Sequence, residues 1–387
     1  MYGFRCHLPR TEFGPGKLDA LDGLVRRLGK RALLAIDPYL DESGLSDRIT
    51  RILAMSSIEV VIFTEIQPNP SCFGADEGAI LARDSGCDFV IAAGGGSTID
   101  FGKGVAVLAA NPGTCWRYTE RSDHEVLRPE KTLPIVAIPT TAGTGSEATH
   151  FAVFNNPDIH EKSTIVSVEI FPDLALVDPE LTYSMPPKLT AATGFDALAH
   201  AIEATISVNT TPFAQLTALE AIRLISSNLP QAVADGSDTE ARASMAWAAL
   251  LAGAAIASGG VALPHAMGQP VSGLTGAPHG GSVAACMTNI LDFSWLAAAE
   301  RFAAIAEALA PSVAELPLAD RAERCSVLVD RLLSDIDLHV RFSDFGMTED
   351  DIDKATHIAM TGYYFDISCH PMKITEEDIR RIYRECL

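Results

Sequence analysis

Short apolar runs alternate with stretches of helical periodicity through the first half of the chain. Arg31–Asp37, Ile58–Phe63, Phe89–Ala93 and Leu133–Ile138 are nearly continuous in Val, Ile, Leu, Ala and Phe, as strands buried on both faces must be. Between them Lys17–Leu28, Asp41–Met55 and Gly74–Ser85 repeat apolar residues at three- and four-residue spacing. This alternation predicts a parallel sheet covered by helices. From about Met185 onward the pattern changes to Ala- and Leu-rich helical periodicity with no strand. Thr210–Ser227, Glu240–Ser258, Trp295–Leu309, Leu318–Ser334 and Thr375–Cys386 are the expected helices. The Pro186-Pro187 pair fits neither a helix interior nor a central strand, so it marks a boundary. The expectation is an α/β plus all-α protein, with an N-terminal parallel-sheet domain over 1–184 and a C-terminal helical domain over 185–387.

Composition narrows this without altering it. A chain of 387 residues exceeds one ordinary core, and 48% hydrophobic with 20% charged residues describes a globular protein. A net charge of −21 excludes a nucleic-acid or anionic-membrane surface, since both need clustered Lys and Arg. The first residues contain no apolar run of signal-peptide length, and no stretch reads as membrane-spanning. The most apolar region, Met245–Met267, is interrupted by Gly253, Gly259, Gly260 and Pro264 and reads as buried core helix. The eight cysteines are scattered without a CxxC pair, which points to reduced thiols and a cytoplasmic location.

Two loops and one acid suggest a dinucleotide. Gly94-Gly95-Gly96-Ser97 follows a buried strand and opens a helix, so bare backbone amides and a helix N-terminus could meet a pyrophosphate. Ser97 would either cap that helix or donate to a phosphate, and capping is the less demanding role. Position 99 is Ile, so this is not the GxGxxG fingerprint, and a plain tight turn is the alternative. Asp37 ends the first predicted strand, where it would accept from ribose hydroxyls and repel a 2′-phosphate, favouring NAD; its alternative is an N-cap. Pro139–Glu147 crowds hydroxyls and glycines at a strand's end, where open α/β sheets bind ligands.

The helical half carries the metal chemistry. Asp196 and His200 lie four positions apart in Thr193–Glu203, on one helical face. Leu263-Pro-His265 and Ala277-Pro-His279 add two histidines beside Pro and Gly. One carboxylate and three imidazoles suit Fe(II) or Zn(II) with a coordination position left open. Singly each histidine reads as a hydrogen-bonded core residue; the joint pattern argues for ligands.

Taken together, Phe13-Gly-Pro-Gly16, Gln67-Pro-Asn-Pro70, Gly94–Lys103, Pro139–Thr149, Gly194–His200 and Pro278-His-Gly280 resemble the iron-containing (group III) alcohol dehydrogenase family over nearly the whole chain. The resemblance implies Asp196, His200, His265 and His279 as metal ligands. It implies Asp37, Asn69, Gly95, Gly96, Ser97, Asp100, Thr140, Thr141, Thr144 and Lys162 as cofactor contacts. It further implies a Rossmann-like dinucleotide domain and a helical metal-binding domain of dehydroquinate synthase-like architecture, a cleft between them, and a homodimer or larger oligomer. The implied reaction moves a hydride between a small alcohol or aldehyde and NAD(H). One position departs from the pattern: many members carry a histidine four residues beyond the third ligand, and here it is Gln269. A glycerol dehydrogenase-like enzyme, a dehydroquinate synthase-like cyclase and a catalytically silent subunit are the rival readings. A cyclase needs Lys and Arg for a substrate phosphate, and Asp178–His279 contains only Lys188, Arg223 and Arg242.

Overall fold

A computed structural model describes residues 3–4, 6–121, 124–159 and 161–387. It divides into two compact units, one of Leu8–Thr141 with Ser146–Thr182, the other comprising mainly Ala142–Gly145 with Tyr183–Leu387.

The first unit is built on a six-stranded sheet of β1 (Arg10–Phe13), β2 (Arg31–Ile36), β3 (Glu59–Phe63), β4 (Phe89–Gly94), β5 (Ile135–Pro139) and, last in sequence, β8 (Leu174–Val177). Its order is β1-β8-β5-β4-β2-β3 and every neighbouring pair is parallel. β2, β4 and β5 are central and almost wholly buried, which is why they are nearly free of polar residues. Helices α1 (Leu21–Val25), α2 (Pro38–Glu42), α3 (Leu45–Ala54), α4 (Cys72–Asp84) and α5 (Gly96–Ala110) accompany the strands. Two apolar clusters hold them: Leu34, Ile36, Phe89, Ile91 and Ile138 with α1 and α3, and Leu33, Val90, Phe101 and Val105 with α4. Each such fully buried side chain contributes about 1.5–3 kcal/mol.

The unit departs from expectation in its details. The single helix expected over Asp41–Met55 is two, because Gly44 takes a left-handed φ of 85° between α2 and α3. Lys17–Leu28 is a 3₁₀ turn followed by the five-residue α1. β1 and β8 are only four residues each, and β6 (Phe151–Asn156) pairs antiparallel with β7 (Glu161–Val166) as a separate hairpin; the apolar-run criterion passes over all four.

The second unit contains α6 (Pro187–Ile206), α7 (Pro212–Ala234), α8 (Thr239–Gly259), α9 (Leu263–Thr275), α10 (His279–Ser294), α11 (Ala299–Leu309), α12 (Leu318–Asp335), α13 (Ile352–Gly362), α14 (Tyr364–Cys369) and α15 (Glu376–Glu385). Among the described residues no strand follows Val177. Pro187 occupies the first turn of α6, where its missing N–H costs nothing, with Pro186 as the N-cap. α6, α7 and α8 pack through alanines and isoleucines such as Ala197, Ala201, Ala221, Ile222, Ala248 and Ala252, all fully buried. The apolar stretch Met245–Met267, expected as interrupted core helix, comprises the end of α8 and the start of α9, parted by Gly260 at φ 73°. By length and hydropathy α8 and His279–Leu309 could each span a bilayer, contrary to the sequence reading, and α8 owes its composition to burial among helices on several sides.

Candidate metal centre and cofactor-binding residues

Asp196 and His200 project from one face of α6, His265 from the first turn of α9, and His279 is the first residue of α10. Their ligand atoms lie within 4.8 Å of one another. Asp196 Oδ1 is 3.4 Å from His279 Nε2, 3.5 Å from His265 Nε2 and 4.0 Å from His200 Nε2. Those separations are too long for hydrogen bonds but match tetrahedral ligands about 2.1 Å from a shared ion, whose donors stand roughly 3.4 Å apart. Asp196 Oδ1 and His265 Nε2 are buried without a hydrogen-bond partner, a costly state unless a cation sits among them. The residues therefore fit a divalent metal of the N/O-preferring kind.

Backbone proximity brings the third helix in. A Cβ on Gly280 would lie 2.1 Å from the carbonyl oxygen of Ala192, so only glycine lets the start of α10 touch α6 and carry His279 to Asp196. The electrostatics agree with the geometry. Burial would raise the Asp196 carboxyl, but the charges of His200 and His279 hold it well below the usual range. Burial lowers His200. It would lower His265 too, yet the charge of Glu203 together with Asp196 holds that ring up to about 10.

Behind His265 stands an acid to which the sequence reading gave no role. Glu203, fully buried on α6, accepts from the N–H of Ala262 (2.8 Å) and of His265 (3.1 Å) through Oε1, and its Oε2 bonds the Nδ1 of His265. Its spacing carried a signal: 196, 200 and 203 share one helical face. Gln269 lies one turn beyond His265 on α9, with its Oε1 buried and lacking a hydrogen-bond partner.

The sequence-predicted cofactor residues of the first unit gather at the C-terminal ends of adjacent strands. Asp37 follows β2, Gly94 ends β4 and Thr140 follows β5, and the pairs Ile36–Ala93 and Gly94–Pro139 put the three ends level. Asp37 is the N-cap of α2, its Oδ1 accepting from Leu40 at 3.0 Å, which leaves Oδ2 for another donor. Gly95 is the N-cap of α5 and brings no side-chain bond, with Gly96 the first helical residue. Ser97 sits inside the first turn and so does not cap it; instead its Oγ accepts from the N–H of Asn69 at 3.2 Å. Asn69, held at a left-handed φ of 57°, accepts from Lys162 Nζ at 2.8 Å. Burial pushes the Lys162 ammonium down to about 8. Thr141 stands beside Gly95, where a Cβ would meet its methyl at 3.4 Å. Thr144 belongs to the segment Ala142–Gly145 of the helical unit.

Asp100 points inward. Its oxygens accept from Ser146 Oγ (2.6 Å) and the N–H of Val153 (2.9 Å), anchoring the hydroxyl-rich loop. Lys103 donates to the carbonyls of Ser146, Thr149 and Phe151 and to the hydroxyls of Ser146 and Thr149. Burial lowers Lys103 to about 8 and raises the neighbouring Glu147 to about 7.

The "Iron-containing alcohol dehydrogenase" family description matches residues 9–179, and "Fe-containing alcohol dehydrogenase family, C-terminal" matches 190–387. The chain belongs to the iron-containing alcohol dehydrogenase family. It is 35% identical to the NAD-dependent methanol dehydrogenase of Bacillus methanolicus, covering 98% of each chain. It is 37% identical to the 1,3-propanediol dehydrogenase of Klebsiella pneumoniae over 96% of each. A solved 1,3-propanediol oxidoreductase, 36% identical, superposes with a TM-score of 0.94 over the full length of both chains. Iron-containing alcohol dehydrogenases interconvert an alcohol and its carbonyl compound, and that is the chemistry of this chain.

Proposed function

We propose that the chain uses NAD(H) to interconvert a small primary or secondary alcohol and its aldehyde or ketone, with one Fe(II) or Zn(II) held by Asp196, His200, His265 and His279. The observation that carries this is the convergence of those four donors, with Asp196 Oδ1 and His265 Nε2 buried and lacking a hydrogen-bond partner. A bound divalent ion supplies a Lewis acid that polarises the substrate's oxygen. Asp196 is the one anion among the ligands, so the centre keeps net positive charge toward a developing alkoxide. Gln269 orients substrate or nicotinamide by hydrogen bonds and, having no ionisation near neutrality, leaves proton departure to water or a ribose hydroxyl.

In the first unit, the α/β dinucleotide-binding domain of this reading, the start of α5 takes the pyrophosphate and Asp37 Oδ2 the ribose. Asn69, Ser97 and Lys162 act as one hydrogen-bonded group at the cofactor, and Thr140, Thr141 and Thr144 offer hydroxyls from the loop after β5. Asp100 serves the cofactor by holding that loop in place. The relatives named for methanol and 1,3-propanediol support a small substrate. All eight cysteines are free thiols, which supports a cytoplasmic enzyme, and the family resemblance supports a homodimer or larger assembly.

The test is elemental analysis of anaerobically reconstituted protein alongside Asp196→Ala and His279→Ala. One equivalent per chain in the wild type, with metal and turnover lost in both variants, is the expected outcome. Full turnover in either variant after chelation refutes the ligand set.

A further inference from the structure

Helix α9 begins at Leu263 with Ala262 as its N-cap, and Ala262 has no side chain able to serve the free N–H groups of the first turn. The fully buried carboxylate of Glu203 performs that function from α6, one oxygen accepting from the N–H of both Ala262 and His265. Its other oxygen faces the ring of His265, bonding Nδ1. A carboxylate has only acceptors, so this contact requires a proton on Nδ1 and leaves Nε2, which faces Asp196 Oδ1 at 3.5 Å, as the ring atom that gives up its proton to ligate an ion. A neutral imidazole in the other tautomer would present an N–H to the ion instead.

We propose that Glu203 is the positioning residue of the metal centre, fixing His265 in its metal-ligating tautomer while capping the helix that carries both His265 and Gln269. This rests on the ligand set proposed above. The same carboxylate thereby sets the ring, the direction of α9 and the depth of Gln269 relative to the ion. An isolated buried acid is costly, and three charge-assisted hydrogen bonds are what retain this one on the helix face it shares with Asp196 and His200.

Glu203→Gln separates the two roles. Its amide oxygen still accepts from the two backbone N–H groups, but its amide nitrogen is a donor aimed at Nδ1, which favours the tautomer that blocks Nε2. Metal-free Glu203→Gln should melt close to the metal-free wild type, while its affinity for Zn(II), measured by competition with a chromophoric chelator, falls by about 10–100-fold. With Co(II) as probe, its ligand-field absorption should weaken or shift. Glu203→Ala, which loses both roles, should bind as weakly and also melt lower.

Zinc affinity and a cobalt spectrum in Glu203→Gln equal to those of the wild type overturn the proposal. Should Glu203→Gln fail to fold, the wild type alone decides. Its zinc form, 15N-labelled at histidine, must show a slowly exchanging Nδ1–H on His265, and absence of that signal overturns the assignment. A wild type that binds no zinc, or Asp196→Ala that binds it fully, refutes the ligand set itself, and the role of Glu203 falls with it.

Discussion

Gly253, in the middle of α8, tests whether the hydroxyl-rich loop after β5 is held by backbone contact. A Cβ there would lie 2.3 Å from the carbonyl oxygen of Gly145 and 2.8 Å from its Cα. The clash is reciprocal, since a Cβ on Gly145 would come within 2.5 Å of Gly253 Cα and 2.6 Å of Ala249 O. Every opposing atom is backbone, so no rotamer relieves the overlap. Ordinary contact begins near 3.4 Å, so the loop or the helix must move by about 1 Å. Two effects of opposite sign compete in Gly253→Ala. Helix propensity alone would stabilise α8 by about 1 kcal/mol, whereas overpacking costs about 1–3 kcal/mol, at the upper end where the backbone must shift. Because α8 is wedged against α6 and α7, the loop yields, and the net result should be destabilisation by about 1–2 kcal/mol. Urea denaturation should show a lower midpoint with an unchanged m-value. The moved segment contains Thr144 and adjoins Thr141, so kcat/KM for NAD(H) should fall by roughly ten- to a hundredfold. Ala254→Gly, one residue along the helix, should cost about 1 kcal/mol in propensity with cofactor kinetics unchanged. A Gly253→Ala protein more stable than the wild type, with normal cofactor kinetics, would mean that the loop is not fixed by this contact.

Glu147 predicts a pH dependence of stability. Burial holds its carboxyl up to about 7 in the folded state against 4.5 when exposed, so between those values the folded chain binds more protons and stability falls as pH rises. Glu147→Gln should flatten that slope and add on the order of 3 kcal/mol at pH 8 relative to pH 4.5; parallel melting curves of both proteins would contradict it. Asp37→Gly should raise activity with NADP relative to NAD and cost only about 0.3 kcal/mol through the lost cap of α2, because Gly is itself tolerated at an N-cap. A wild type that already uses both cofactors equally removes Asp37 from the ribose. Gln269→His should add an ionisation at about pH 6–7 to the pH–rate profile without altering metal content. Gln269→Ala should weaken turnover by about 0.5–1.5 kcal/mol, and unchanged kinetics in both would place Gln269 away from the reacting groups.

The sheet-forming core and most of the helices were written in local pattern. β2, β4 and β5 are nearly continuous apolar runs because both faces of a central parallel strand are covered, and that requirement acts on each residue separately. Asp196 and His200 were legible for the same reason: their relation is set by one helical period. β1, β8 and the β6–β7 hairpin were not legible, being short or only partly covered, so their apolar content does not announce them. His265 and His279 were nameable from their place beside Pro and Gly and through the family resemblance, but their meeting with Asp196 depends on Gly280 touching the carbonyl of Ala192, 88 positions away in the chain. The capping of α2 by Asp37, the inward turn of Asp100 and the release of Ser97 from capping follow from which partner lies nearest in space. Glu203 is the clearest case. Its place on the ligand face could be counted from the sequence, but its bonds to Ala262 and His265 exist only once α6 and α9 are packed together. Periodicity records what each element must bury; the partners of a buried polar group are chosen by contacts between elements, and no local pattern encodes those.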